Sequence, residues 1–388
     1  MKFVFHTNSV SPHQLPLSRE IVKVLGADEY RYVYTQPRTD ERRRLGWGNE
    51  ASEWVVCEKD DAEKSHEWMD GCDVLMSTLR DIDVFERRIE RGLNTIYASE
   101  RWFKPRMGIL RLLNPSYLKM ARRFVKLLSG CGTMYYFPMG VHAARDMARL
   151  CGLLHGDMCC IFRAPQLDFE RRPGGKIWLK NGKNGKKYGL DKMRMWGYYV
   201  EPTKFALQVQ QTTKPIPHEV KVLWVGRLLN LKRVDTIVRA VGEHANLKRV
   251  DDSLPKITLD IYGTGPEEAR LKKQASEYGD VIKFYPPVPI EQVRKLMREH
   301  DVYVLASNAY EGWGAVVNEA LEEGMKMIGT CEAGASATTL PNTNLFHAGD
   351  WRGLQRLLSN DVISCGIGSW TAKAAARALL NDNGTLMI

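Results

Sequence analysis

The sequence predicts an α/β protein whose C-terminal half is a parallel sheet covered on both faces by helices. Three observations carry this. Short apolar runs alternate with helix-periodic segments from about residue 220 to 340, the pattern of strands joined by crossover helices. The 388 residues, 44% of them apolar, are ample for two domains with separate cores. A polar, proline-broken stretch, Gln211-Thr212-Thr213-Lys214-Pro215-Ile216-Pro217-His218, supplies a linker between them.

In chain order, Phe3 to Phe5 reads as a first strand. A loop from His6 to Pro16 follows, leading to a helix near Leu17 to Leu25. Asp81-Ile82-Asp83 precedes a helical Val84 to Ile89. Between Ser116 and Leu128, Leu118, Ala121, Val125 and Leu128 share one helical face, and Lys119, Arg122, Arg123 and Lys126 lie away from it. Met134 to Phe137 is a strand, and His142 opens the next helix. From Gly174 to Lys187 the chain is basic and contains two Asn-Gly pairs, the signal of a tight turn or hairpin. No Gly-x4-Gly-Lys-Ser/Thr is present there, so this segment is not a P-loop.

Beyond the linker, Val222 to Val225 is a buried strand ending in Gly226-Arg227, with Lys232 five residues after the arginine. Ile257 to Tyr262 is a second strand, ending in Gly263-Thr264-Gly265-Pro266 and followed by a helical Glu267 to Tyr278. A strand at Val281 to Tyr285, a helix at Ile290 to Arg298 and a strand at Asp301 to Leu305 come next. Then Glu311-Gly312-Trp313-Gly314-Ala315-Val316-Val317-Asn318-Glu319 carries two carboxylates eight residues apart, with glycines where a loop turns into a helix that Gly324 stops. Glycines at such a junction admit a ligand close to the backbone. The free N–H groups of the helix start favour an anion such as a diphosphate. Glu311 is expected in the loop and Glu319 in the second helical turn. Val316, Val317, Ala320 and Leu321 form the buried face, with Trp313 packed beneath the loop or against a ligand. Met325 to Thr330 is the following strand, and Thr371 to Leu380 has helical composition.

These C-terminal motifs, in this order, resemble the Glu-x7-Glu glycosyltransferases of family 4, which retain anomeric configuration and have the GT-B architecture, two Rossmann-like domains facing a central cleft. The resemblance covers about residues 220 to 340. It implies an acceptor-side domain at 1–213, a nucleotide-sugar domain at 218–365, and a last helix within about 366–388 crossing back to the first domain. It implies that Arg227 and Lys232 meet the donor diphosphate and that Glu311 lies by the reacting sugar. Donor contacts fall to Gly226, Gly263, Gly265, Gly312, Trp313, Gly314 and Glu319, the last accepting hydrogen bonds from ribose hydroxyls. The family's glycine pair after the first strand is missing here, which puts the donor contact of that loop in doubt. Asn8, Ser9 and Ser11 offer hydrogen bonds instead, and Asn8, His13 and His142 are candidates to contact the acceptor or line the cleft.

The chemistry agrees with that resemblance. Moving a glycosyl group from a nucleotide diphosphate builds negative charge on the departing phosphate, and the guanidinium fork of Arg227 with the point charge of Lys232 suits it. Each well-aimed donor of this kind is worth about 3–4 kcal/mol. The expected enzyme is a retaining, metal-independent, hexosyltransferase-like glycosyltransferase. It needs no cofactor beyond its nucleotide-diphosphate sugar co-substrate, and it acts on a saccharide or lipid-linked acceptor in polysaccharide or glycolipid biosynthesis. A phosphorylase or epimerase of the same architecture, and a non-catalytic basic nucleotide-binding module, are the alternatives. Asp81-Ile82-Asp83 matches the Asp-x-Asp metal motif of the other glycosyltransferase architecture only superficially, because no companion sequence surrounds it. No metal ligand is assigned.

The net charge of +10 is densest at Arg42-Arg43-Arg44, at Arg101 to Lys126 and at Arg171 to Lys187, which favours anionic partners. With Trp102-Phe103-Lys104-Pro105-Arg106 before it, the amphipathic segment at 116–128 either packs on its domain's sheet or lies on an anionic membrane. Aromatics are not interleaved with the basic residues and no binding module for nucleic acid is found, so nucleic acid is not expected as a partner. No apolar run approaches 18 residues, so no membrane span is expected. The first residues have too short an apolar core for a signal peptide. The eight cysteines, Cys57, Cys72, Cys131, Cys151, Cys159, Cys160, Cys331 and Cys365, lack paired or zinc-ligand spacing and read as reduced thiols. The expected location is cytoplasmic, with peripheral contact at the cytosolic membrane face.

Overall fold

A computed structural model describes residues 1–37, 39–40, 52–130, 132–157, 160, 166–180, 185–200, 219–360 and 370–388. The Arg42-Arg43-Arg44 cluster, the linker at 211–218, Asn181 to Asn184, Cys131, Cys159 and Cys365 fall outside these residues. The chain divides into two compact units: Met1–Glu201 with Ser369–Ile388, and Pro202–Gly368.

Unit 1 holds a parallel sheet in the order β3-β2-β1-β4-β5-β6. Its strands are β1 Phe3–Thr7, β2 Tyr30–Tyr34, β3 Val55–Cys57, β4 Val74–Ser77, β5 Asn94–Ser99 and β6 Met134–Pro138. The helices between them are α1 Leu15–Leu25, α2 Ala62–Gly71, α3 Ile82–Glu90 and α4 Pro115–Gly130, with α5 Val141–Leu154 after β6. All five residues of β1 are buried, as expected for a central strand with helices on both faces.

Several sequence expectations shift here. The helix expected from Val84 begins at Ile82, because the Asp81 carboxylate caps it by accepting from Val84 N at 3.1 Å. Asp83 pairs with Arg123 at 2.6 Å. Both acids of the Asp-x-Asp tripeptide thus have structural partners. The turn or hairpin expected at the two Asn-Gly pairs falls on Asn181 to Asn184, outside the described residues; before it, β7 Leu167–Phe169 pairs antiparallel with β8 Ile177–Leu179. Their connection runs through Gly174-Gly175, and no Cβ fits at Gly175, where it would stand 2.4 Å from the Glu170 carbonyl oxygen.

Unit 2 repeats the topology, β11-β10-β9-β12-β13-β14. Its strands are β9 Glu219–Val225, β10 Lys256–Tyr262, β11 Ile282–Tyr285, β12 Val302–Leu305, β13 Lys326–Thr330 and β14 Leu345–Phe346. The helices are α6 Val234–Lys248, α7 Glu268–Ala275, α8 Ile290–Glu299, α9 Val316–Glu322, α10 Gly334–Thr339 and α11 Trp351–Ser359. The helix expected over Glu267 to Tyr278 ends at Ala275 and tightens into a 3-10 turn, Ser276–Tyr278. One core cluster joins Val222, Trp224, Ile237, Val241, Leu259, Ile261, Val304 and Leu354. Each such side chain contributes about 1.5–3 kcal/mol by leaving water.

The last helix, α12 Ala372–Leu379, buries Ala372, Ala375, Ala376 and Leu379. It packs on α1 within unit 1, and Thr371 caps it by accepting from Ala374 N. Among the described residues, Cys57, Cys72, Cys151, Cys160 and Cys331 are free thiols. Burial pushes the Cys72 thiol up to about 11 and the Cys151 thiol up to about 12, which keeps them protonated and unreactive at neutral pH.

Candidate functional site

In a doubly wound sheet, ligands bind at the carboxyl ends of the strands where the order reverses. In unit 2 that point lies between β9 and β12, which pair only at Val302↔Val222 and Tyr303↔Leu223. Beyond this the strands part, and the Tyr303 side chain replaces the missing rung. Its hydroxyl donates to Val225 O at 2.9 Å and accepts from Val225 N at 3.2 Å. Burial, together with the charges of Glu319 and Glu311, raises the Tyr303 phenol above its ordinary range. Sequence reasoning missed Tyr303, which looked like an ordinary strand residue.

The turn after β9 is locked to the turn after β10. Leu228 N donates to Thr264 O at 2.9 Å, and Glu267 N donates to Leu228 O at 3.1 Å. A Cβ on Gly263, where φ is +151°, would stand 1.8 Å from Gly226 O, and one on Gly265 would stand 2.4 Å from Leu228 O. Backbone approaches this close are possible only for glycine. The two turns are thereby one rigid surface at the carboxyl edge. Arg227 is exposed on it, and among the described residues its guanidinium has no ion pair.

The turn then runs through a 3-10 segment, Asn230–Lys232, and the loop after β12 is tied to it by Asn308 N donating to Leu231 O at 2.9 Å. This brings Lys232 Nζ to 2.5 Å from Glu311 Oε2, with the two side chains 24% and 14% exposed. Gly314, at φ +88°, lets the loop turn back so that its missing Cβ leaves room for Leu305. Gly334 N and Ala335 N, at the start of α10, donate to Gly312 O and Trp313 O at 3.1 and 2.8 Å. A Cβ on Gly334 would stand 2.4 Å from Gly312 O, so this glycine supports the site although nothing in its sequence neighbourhood marked it.

Trp313 has a structural task. Its indole is 1% exposed and donates to Asn318 Oδ1 at 2.8 Å, pinning the loop to α9. Glu319 lies in the first turn of α9 and not the second, because the helix starts only at Val316. It is 8% exposed, and Arg294 Nη1 donates to its backbone carbonyl at 3.2 Å. Arg294 Nε and Arg298 Nη1 also hold the buried Glu323 carboxylate, at 2.8 and 2.6 Å. That clamp between α8 and α9 fixes the helix from which Glu319 projects.

In unit 1 the order reverses between β1 and β4. Thr78 N donates to His6 O at 2.8 Å, and Thr78 Oγ1 donates to Thr7 Oγ1 at 2.9 Å. Asn8 is exposed there, and its side-chain oxygen accepts from Ser9 Oγ at 3.3 Å. His13 is 8% exposed, with its ring 6.3 Å from that of Tyr198 and its carbonyl accepting from Tyr199 N. His142 is the second residue of α5, beyond the edge strand β6. Three strand spacings separate β6 from β1, about 14 Å at the usual spacing. Asn8 and His13 thus share one loop, whereas His142 belongs to the far end of the same edge.

Residues 209–359 match the family model described as Glycosyl transferases group 1. The GtfA subunit of the UDP-N-acetylglucosamine–peptide N-acetylglucosaminyltransferase of Streptococcus gordonii is 33% identical over 111 residues, 28% of this chain and 20% of that one. An uncharacterized glycosyltransferase of Methanocaldococcus jannaschii is 25% identical over 149 residues, 38% of this chain and 37% of that one. The chain thus spans about a fifth of the first of these relatives and little over a third of the second. Among solved structures, Anabaena HepE in complex with UDP superposes with a TM-score of 0.56 at 14% identity, covering 97% of this chain and 95% of that one. The lipopolysaccharide outer core galactosyltransferase WaaB gives 0.54 at 13%, covering 97% and 94%. Two parallel-sheet units in this order are the fold of these GT-B glycosyltransferases.

Proposed function

We propose that this protein is a retaining glycosyltransferase that uses a nucleotide-diphosphate sugar without a metal. The observation that carries the proposal is the Lys232–Glu311 pair at the carboxyl edge of unit 2, with Arg227 exposed on the same turn, at the strand reversal where α/β sheets bind nucleotides. When the bond between the anomeric carbon and the phosphate oxygen breaks, the electron pair leaves with the diphosphate. Arg227 and Lys232 counter that charge from a preorganised surface, which is why no metal is required. Glu311 holds sugar hydroxyls, and Glu319 accepts from the ribose. The match to group 1 glycosyltransferases over this same region supports the reading.

The acceptor is a saccharide or a lipid-linked saccharide, and its selection is assigned to Asn8, His13 and His142 of unit 1. Among the described residues no helix is long and apolar enough to cross a membrane. Peripheral contact is supported by a different surface. Met107, Leu110 and Leu113 are 54%, 58% and 78% exposed, and Lys104, Arg106, Lys119, Arg122 and Lys126 are exposed beside them in sequence. Apolar side chains flanked by cations suit an anionic lipid surface. Such a face would present the enzyme to polysaccharide or glycolipid precursors.

A panel of nucleotide-diphosphate sugars, assayed for nucleoside diphosphate release with and without a chelator, tests the activity. Proton NMR of the product's anomeric centre tests retention. Release that needs added divalent metal, or a product of inverted configuration, would overturn the corresponding part.

A further inference from the structure

A second charged hollow lies in unit 2, on the helix layer formed by α6, α7 and α11 and apart from Arg227, Lys232 and Glu311. Its volume is about 390 Å³, and Arg233, Arg239, Arg270, Lys273, Thr236 and Trp351 line it. Two carboxylates, Asp235 and Glu277, share the lining, so four cations face two acids. Arg233 is held by Asp235, with both contacts at 3.1 Å, and Arg270 by Glu267 at 2.6 Å. Among the described residues Arg239 and Lys273 have no acidic partner. The Arg239 guanidinium lies 4.5 Å from the Trp351 ring centroid, a stack that holds the charge in place.

Two further features point to a ligand. Thr236 is 3% exposed, and among the described residues its hydroxyl has no hydrogen-bond partner, an uncommon state for a buried polar group. Arg233 is the only non-glycine residue with positive φ among the described residues, at φ 48°. That backbone turn separates two adjacent cations. Lys232 reaches Glu311, whereas the Arg233 side chain reaches Asp235 and lies against Gly349.

We propose that this hollow binds a small, multiply charged phosphoryl anion, independently of the residues assigned to the donor. Arg239 and Lys273 supply the unneutralised charge, Arg233 and Arg270 add planar donors, and the start of α6 lies among them.

Isothermal titration with inorganic pyrophosphate at low salt tests this in the full chain. The unaltered protein should show two binding events. Arg239→Ala with Lys273→Ala should weaken one of them at least about tenfold, the scale of lost hydrogen bonds to charged groups. Arg227→Ala with Lys232→Ala should remove the other and leave the first. A single event lost with Arg227 and Lys232, or two events both unchanged by the Arg239 and Lys273 variant, would overturn the proposal. Arg239 and Lys273 are exposed, and an unchanged melting curve identifies a variant that has kept its fold.

Discussion

Lys232 and Glu311, 79 residues apart in the chain, meet in an ion pair at 2.5 Å. The pair joins the turn after β9 to the loop after β12 at the strand reversal of unit 2. Under the proposed function an arriving donor phosphate would compete with Glu311 for the ammonium group, which would make the pair both a preformed anchor and a contact the donor must rearrange.

Lys232→Ala and Glu311→Gln should each lower nucleoside diphosphate release by about 10²–10³, the usual loss for one preorganised charged group. Their melting temperatures should stay near that of the unaltered protein, because both side chains are partly exposed. Sugar transfer at the full rate in both variants would remove these residues from the site.

Gly265→Ala should damage the same surface through the backbone. Its Cβ would stand 2.4 Å from Leu228 O and 2.8 Å from Leu228 N, and neither atom can yield without breaking the bond from Leu228 N to Thr264 O. A destabilisation of about 1–3 kcal/mol is expected, with weaker nucleoside diphosphate affinity measured by titration. An alanine variant of unaltered stability and affinity would show that the two turns are not locked together.

Glu323→Ala should destabilise unit 2 by about 3–5 kcal/mol, the cost of leaving Arg294 and Arg298 without their buried carboxylate. Hydrogen exchange of α8 and α9 measures this without assuming that the two units unfold together. Full protection in the variant would contradict the role of the clamp.

His6 should make unit 1 acid-sensitive. Its ring lies 3.3 Å from Ser77 Oγ. Burial lowers its pKa below 6.5 despite the opposing pull of Glu58 and Asp81. The folded state thus resists a proton that the unfolded chain accepts, so stability is full above about pH 6.5 and falls as the pH drops through the lowered value. The urea midpoint followed between about pH 8 and pH 5 checks it. A His6→Phe variant should lose this slope, and an equal slope in both proteins would assign the sensitivity elsewhere.

Lys119→Glu with Arg122→Glu, or Leu110→Asp with Leu113→Asp, should weaken sedimentation with anionic vesicles. Each basic residue near such a surface is worth about 1 kcal/mol at low salt. Arg123 is a poor choice for this test because it is bound to Asp83 and Glu86. Unchanged binding by both variants would leave this surface without a membrane role.

Unit 2 was legible in sequence because Val222 to Val225 of β9 and Val302 to Leu305 of β12 are short apolar runs, and because β9 and β10 are each followed by a glycine. Among the strands of unit 1, only β1 and β6 were legible. The remaining strands are short or carry polar residues, such as Tyr30-Arg31-Tyr32 and Asn94-Thr95, and periodicity does not separate these from loops. Arg88 shows the same limit. A charged residue reads as surface, yet it is fully buried and donates to Thr95 Oγ1 and to the carbonyls of Met69, Cys72 and Asn94. The basic density from Arg101 to Lys126 was likewise partly internal, since Arg101 holds the buried Asp146 at 3.2 Å. Motif spacing marked Arg227, Lys232 and Glu311 as candidates and indicated the two glycine turns after β9 and β10. Tyr303, Arg294 and Gly334 act through contacts with distant strands and helices, which no local spacing records.

The packing of α12 on α1 places the beginning and the end of the described chain in one folded body, with unit 2 between them in sequence. During synthesis α12 leaves the ribosome only after α1 and the whole of unit 2. At about 5–20 residues per second, the intervening unit occupies roughly ten to thirty seconds. Unit 2 can complete its core in that interval, while the apolar face of α1 must wait for Ala375, Ala376 and Leu379 or be shielded by a chaperone. Ribosome-stalled chains ending before Thr371 should therefore expose α1 to protease while unit 2 is already resistant.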